Sequence, residues 1–195
     1  MAIDSGRVEA AVRELLLAIG EDPTRPGLID TPQRVAVAYG DFFAGIGEDP
    51  LAHLTGATAF AKEGELGELV LLRDIEFRSI CEHHLLPFVG VAHVAYLPGN
   101  RIVGLGKLPR VVETLSSRPQ LQERLTEEIA DALQTGLEPD GVLVVLDARH
   151  GCVSARGTRQ VNSSTVTMAS RGSLRDPVAR AGVLALLGRT PAELE

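Results

Sequence analysis

An α+β chain, with helices on one face of an antiparallel sheet, is predicted by three observations. Apolar residues recur at helical spacing near the N-terminus, after residue 31 and again between 108 and 137. Between these stretches run β-branched, partly alternating segments, at 68–105 and at 141–170. Their order, helices, hairpin strands, two helices, hairpin strands, helix, is that of an α+β domain.

Val8, Val12, Leu15, Leu16 and Ile19 form the first helical stripe, and Gly20 supplies its stop. Thr31-Pro32 reads as an N-cap followed by proline in the first helical position, opening TPQRVAVAYGDFFAGI. Residues 47–67, rich in Gly, Ala and Glu with little period, are expected to be a mobile connection. That places a boundary between an N-terminal helical region, 1–67, and a sheet domain, 68–195. ELVLLRDIEFRSI, FVGVAHVAYL and RIVGL are read as antiparallel strands. Leu108–Ser117 and Pro119–Leu137 are predicted helices, the second carrying the stripe Leu121, Leu125, Ile129, Leu133. Strands return at GVLVVLDARH and NSSTVTMAS, and Asp176-Pro177 opens a last helix through about Leu187.

The 195 residues, 45% hydrophobic and 23% charged, suit one well-packed globular unit. A net charge of −7 argues against a general binder of nucleic acid or of membrane surfaces, and the 4% aromatic content against stacking on single strands. An anionic substrate would need a local basic pocket. The N-terminus lacks the order of a secretory signal, and no apolar run is long enough to span a bilayer. The expected location is the cytoplasm, where Cys81 and Cys152 stay reduced.

Chemistry concentrates in two short clusters, Cys81-Glu82-His83-His84 and His150-Gly151-Cys152. Cys81 and His84 are close enough for a tight turn to aim both at one ion. Thiolate sulfur and imidazole nitrogen are donors that zinc prefers. Cys81, His84 and Cys152 make three protein ligands, the count of a catalytic site that leaves a position for water. A strand cysteine is more often a small buried hydrophobe, and a single histidine more often a core or surface residue. Those plainer roles are kept for His53 and His93; for the paired clusters they fit less well, because both cysteines of the chain fall beside a histidine.

Gly104-Leu105-Gly106-Lys107 leads into a helix carrying Arg110, and a helix N-terminus with two cations one turn apart suits a phosphate. The spacing is not that of a P-loop. Arg156 and Arg159 add charge just beyond Cys152. Gln122-Glu123 stands off the apolar stripe, so Glu123 is either an exposed helix carboxylate or the acceptor of a paired donor edge such as that of guanine.

These motifs, CEHHLLPFVG, VGLGKLPRVVE, RPQLQERLTEEIADALQ and HGCVSARG, resemble in kind and order the GTP cyclohydrolase I family, over roughly Thr31 to Arg175. The resemblance implies a tunnelling fold, in which the sheets of several subunits join into a barrel stacked as a homo-decamer, with active sites between subunits. It implies Zn2+ held by Cys81, His84 and Cys152, and proton transfer by His83 and His150. Glu123, with Gln122 beside it, would hold the guanine edge. Lys107, Arg110 and Arg156 would bind the triphosphate, joined by Arg34 from a neighbouring subunit. The implied reaction opens the imidazole ring of GTP, releases formate and recloses the product as 7,8-dihydroneopterin triphosphate. Two positions depart from the family: Gly106 stands where a serine is common, and Val37 where some bacterial members carry lysine. Gly106 motivates a second expectation, a paralogue that takes another purine nucleotide or stops after ring opening. A non-catalytic zinc-stabilised assembly or sensor protein is the alternative of another class, and a fourth protein ligand would favour it. The nitrile reductases of the same fold rank last, since they use a nucleophilic cysteine and need no His-x-Cys pair.

Overall fold

The computed structural model describes residues 3–59 and 69–188, so the boundary expected at residue 67 lies outside it. Helix α1, Ser5–Ala18, starts where the Asp4 carboxylate accepts from the Arg7 N–H at 3.0 Å, and Gly20 at φ 86° turns the chain after it. Helix α2, Thr31–Phe42, has Asp30 at its N-cap and Pro32 among its first residues, one position earlier than the Thr31 cap expected. The two helices pack on each other around Leu16 and Ala36 and touch the rest of the chain only lightly.

Residues 50–57, expected to belong to a mobile connection, are instead built into the core. Pro50–His53 forms a short 3-10 turn, and Leu54 behind it is buried among α-helical and strand residues. A Cβ on Gly136 would lie 2.4 Å from a Leu54 methyl, so glycine is what makes room for this wedge. The two-residue strand β1, Thr58–Ala59, follows; residues 60–67 of the expected connection lie outside the described residues.

The sheet consists of β2 (Val70–Cys81), β3 (Pro87–Leu97), β5 (Pro119–Gln120), β6 (Gly141–His150) and β7 (Thr165–Gly172), in the order β5-β2-β3-β6-β7. All pairings are antiparallel except β2 with β5. Strand β4, Arg101–Ile102, is shorter than the RIVGL strand expected and among the described residues pairs with β1 rather than joining the main sheet. Helices α3 (Lys107–Ser116) and α4 (Gln122–Leu137) cover one face, burying Val111, Leu125, Ile129 and Leu133 against Ala92, Val94, Val144 and Leu146. Alternation puts Ala95, Leu143 and Val145 on the other face, where α6 (Pro177–Leu187) packs Val183 over one end. The helical layer is thus concentrated on one face, as expected, with the last helix as a smaller cover opposite.

Two details of the sheet were not legible as pattern. A bulge between Leu72 and Ile75, with Asp74 at φ 58°, switches the inward face of β2 from even to odd positions, which is why the run looks only partly alternating. The Asp74 N–H donates to His93 Nδ1 at 3.2 Å, and His53 Nε2 pairs with Thr114 Oγ1 at 2.8 Å, so both lone histidines hold structural bonds. Pro119 and Gln120 pair with β2 where a helix was predicted, and α4 starts only at Gln122.

Gly90 shows how tightly β3 and β6 approach: a Cβ there would lie 2.0 Å from the Asp147 carbonyl oxygen and 2.6 Å from Ala148 Cα. Gly90→Ala is therefore expected to open the ladder and cost about 3 kcal/mol of stability or more, read as a lowered midpoint of chemical unfolding. An unchanged midpoint would mean that the strands separate at no cost. Among the described residues no helix is long and apolar enough to cross a membrane.

Candidate active site

Ladder register collects the chemical residues at one end of the sheet. Ile80 stands opposite Pro87, and Phe88 opposite His150, so the end of β2, the start of β3 and the end of β6 coincide. The start of α4 and the start of β7 arrive at the same place: Gln122, Glu123 and Thr165 line one cavity with Cys81, His83, His84, His150 and Cys152. Its volume is about 470 Å3, in the range of small-molecule sites.

The β2–β3 turn is tied by its own backbone. The Cys81 N–H donates to Leu86 O at 2.9 Å, while Cys81 O accepts from the N–H groups of His84 (3.4 Å) and Leu85 (2.9 Å). Leu85 takes a left-handed conformation at φ 52° to close it. The turn brings the Cys81 and His84 side chains to one place. Cys152 comes from the four-residue helix α5, Gly151–Ser154, which begins directly after β6. A donor atom from each of Cys81, His84 and Cys152 lies within 4.8 Å of the others. Two ligands about 2.1–2.3 Å from a shared zinc ion are at most ~4.6 Å apart, so small side-chain rotations close the set. Among the described residues, no fourth donor joins this group. Burial, and then the Cys81 sulfur beside it, push the Cys152 thiol up from its ordinary value. Two crowded sulfurs resist ionising together, and a cation between them is what would favour the thiolates. The donor set fits zinc in chemistry and span.

The β2–β3 turn is braced from α4. Glu82 and Arg124 form an ion pair that holds the Glu82 carboxyl below its usual range. Arg124 also donates to Gln120 Oε1 at 3.0 Å, and Gln120 in turn donates to Leu115 O at 3.0 Å. His150 stacks flat on buried Phe88, with ring centres 4.7 Å apart and planes 4° from parallel. Its Nε2 lies 2.7 Å from Gln122 Oε1. Burial lowers the His150 pKa, and the Glu123 charge partly opposes that shift.

The expected site residues divide into two sets. Cys81, His83, His84, Gln122, Glu123, His150 and Cys152 come together in the cavity. Glu123 is exposed on the first turn of α4, but Gln122 beside it is buried, with its amide directed into the protein. The cations stay apart. Lys107 opens α3 and Arg110 is exposed one turn on; Arg34 is exposed on α2 and bonded to Asp30 at 3.0 Å; none of these three lines the cavity. Arg156, exposed after α5, is near enough to act electrostatically on Cys152. Gly106 has φ −65° and ψ −8°, and a Cβ there would meet nothing within 4 Å, so serine would fit without strain. Sequence reasoning missed Phe88, Gln120, Arg124 and Thr165. Only the position of Arg124, next to Glu123, could have drawn attention.

Comparison with known proteins places this site in context. A family model described as GTP cyclohydrolase I matches residues 8–188. A protein of Leifsonia xyli subsp. xyli named GTP cyclohydrolase 1 is 60% identical over 185 residues, spanning 95% of this chain and 96% of its own. The proteins of that name from Geobacillus kaustophilus and Bacillus subtilis are 53% and 51% identical, over 95% and 93% of this chain and 97% and 95% of theirs. Among solved structures, the apo form of the archaeosine synthase QueF-Like aligns with a TM-score of 0.43 at 16% identity, covering 54% of this chain and 94% of that one.

Proposed function

Because the chain belongs to the GTP cyclohydrolase I family, we propose that it opens the imidazole ring of GTP hydrolytically, releases formate and forms 7,8-dihydroneopterin triphosphate. The observation that carries this reading is the meeting of three metal donors, two further histidines and a carboxylate in one cavity. Cys81, His84 and Cys152 would hold Zn2+, which when bound supplies a Lewis acid and brings the pKa of a water toward neutrality. Glu123, on the cavity wall, accepts the N1–H and exocyclic amine of guanine, a paired edge that only a two-acceptor group completes. His83 and His150 hold and return protons on their ring nitrogens as the bonds to C8 break. Arg124, through Glu82, keeps the metal turn in place while Phe88 keeps the His150 plane.

The triphosphate is bound by Lys107, Arg110 and Arg156, with Arg34 added by a neighbouring subunit. Support for a shared site comes from the lining itself: among the described residues around the cavity none is a lysine or arginine. A tetra-anionic substrate in a chain of net charge −7 requires cations brought from elsewhere. A homo-oligomer, in the family manner a decamer, supplies them. The reduced thiols that the site needs suit the cytoplasm.

The test is incubation of purified, zinc-loaded protein with GTP, following formate release and the pterin fluorescence that develops after oxidation. Both signals together are expected. Formate without pterin would support the second reading, ring opening uncoupled from the ribose rearrangement, for which Gly106 is the favouring observation. Neither signal, with zinc bound, would overturn the assignment of GTP and turn the search to other purine nucleotides.

A further inference from the structure

Gln122 lines the cavity, yet its side chain is 1% exposed and its amide is already committed. Its Nε2 lies 2.8 Å from Thr165 O, 3.2 Å from Leu146 O and 3.1 Å from Thr167 Oγ1, three acceptors that share its two hydrogens. Backbone carbonyls only accept, so two of these three partners decide which end of the amide is the NH2. A flipped amide would set its oxygen against both carbonyls. The Thr167 hydroxyl is in turn paired with Thr126 Oγ1 at 2.6 Å, and Thr126 donates to Gln122 O at 2.7 Å, so the orientation is held from several sides.

The consequence falls on His150. The oxygen end of the amide faces its Nε2 at 2.7 Å, and an amide oxygen only accepts, so the hydrogen of the imidazole resides on Nε2. Stacking on Phe88 fixes the plane of the ring but not which of its two flips is taken. The bond to Gln122 chooses the flip and the tautomer together.

We propose that Gln122 is a positioning residue: it holds His150 in the Nε2–H tautomer, leaves Nδ1 as the nitrogen that exchanges protons with substrate, and does not itself bind guanine. This rests on the reading of His150 as a proton-transfer group, and it removes Gln122 from the substrate-binding set. With its two hydrogens engaged inside the protein and its side chain 1% exposed, the amide has no donor edge left to offer a base. The logic is that of a histidine oriented by a third group behind it, here a neutral amide in place of a carboxylate.

Two measurements decide it. Solid-state 15N NMR of the zinc-loaded protein, labelled at its five histidines, reads the tautomer directly, with the His150 signals assigned by their loss in His150→Asn. A protonated, pyrrole-type Nε2 and a bare, pyridine-type Nδ1 are expected; a hydrogen on Nδ1 would overturn the proposal. Gln122→Met, similar in volume, should lower kcat by about 100-fold while KM for GTP moves less than about 3-fold. A raised KM with kcat intact would instead return Gln122 to the guanine edge. The NMR result needs no variant of Gln122 and no turnover. An inactive wild-type protein would therefore defeat the GTP reading while leaving the tautomer still legible.

Discussion

Cys152→Ala is expected to purify without bound metal and to turn GTP over at least about 10,000-fold more slowly than the unaltered chain. Cys81 and His84 come from one turn, and two donors alone would hold a divalent ion loosely; Cys152, delivered by α5 just after β6, would convert the pair into a metal site. The fold should survive. Cys152 is only partly buried in a four-residue helix, so removing its sulfur leaves no large internal void. Metal content by elemental analysis, formate release and circular dichroism separate the possibilities. A variant that keeps full metal and full activity would remove Cys152 from the ligand set. One that loses helical signal as well would show that the residue serves folding first.

The second large effect belongs to Glu123→Ala. A carboxylate that accepts two donors of guanine contributes roughly 1.5–3 kcal/mol through each charge-assisted bond. Their loss should weaken GTP binding by about two to four orders of magnitude. The metal should remain, because Glu123 lies outside the three donors. Isothermal titration with GTP, alongside metal analysis, tests both halves. Unaltered binding would make Glu123 the exposed helix carboxylate that its place on the first turn of α4 equally suits. Glu123→Gln is expected to fall between the two, since an amide presents one acceptor where the guanine edge offers two donors.

The two cases differ in what the sequence could say about them. Cys152 is recognisable because a thiol beside a histidine is a rare and chemically directed pairing. Glu123 is recognisable only through its family resemblance, since helical periodicity leaves an off-stripe carboxylate undecided. For Gln122 the sequence is undecided for the same reason. Adjacency to Glu123 suggested a shared task, but successive helix residues point about 100° apart. One faces the cavity mouth while the other enters the wall toward Leu146 and Thr165.

The helical elements were read well where the determinants are local. The Asp176-Pro177 start of α6 is such a case: the Asp176 carboxylate accepts from the N–H groups of Val178 and Ala179 at 3.0 and 2.9 Å. The bulge at Asp74 and the pairing of Pro119-Gln120 with β2 were not legible, because each depends on a partner strand rather than on its own residues. Residues 50–57 looked like connection for lack of a period. A buried leucine in a notch left by Gly136, with Leu51 and Ala57 packed beside the core and His53 bonded to Thr114, docks them.

By itself, then, the sequence determined the order and kind of the main elements, the donor types available to a metal, and the family. All of these are written in local pattern and in side-chain chemistry. Only the tertiary structure decided that Cys152 meets Cys81 and His84, that His150 lies flat on Phe88, and which residue of the Gln122-Glu123 pair is buried in the cavity wall. The physical reason is register. The β3–β6 ladder sets Phe88 opposite His150, and a shift of one residue would send each side chain to the other face of the sheet.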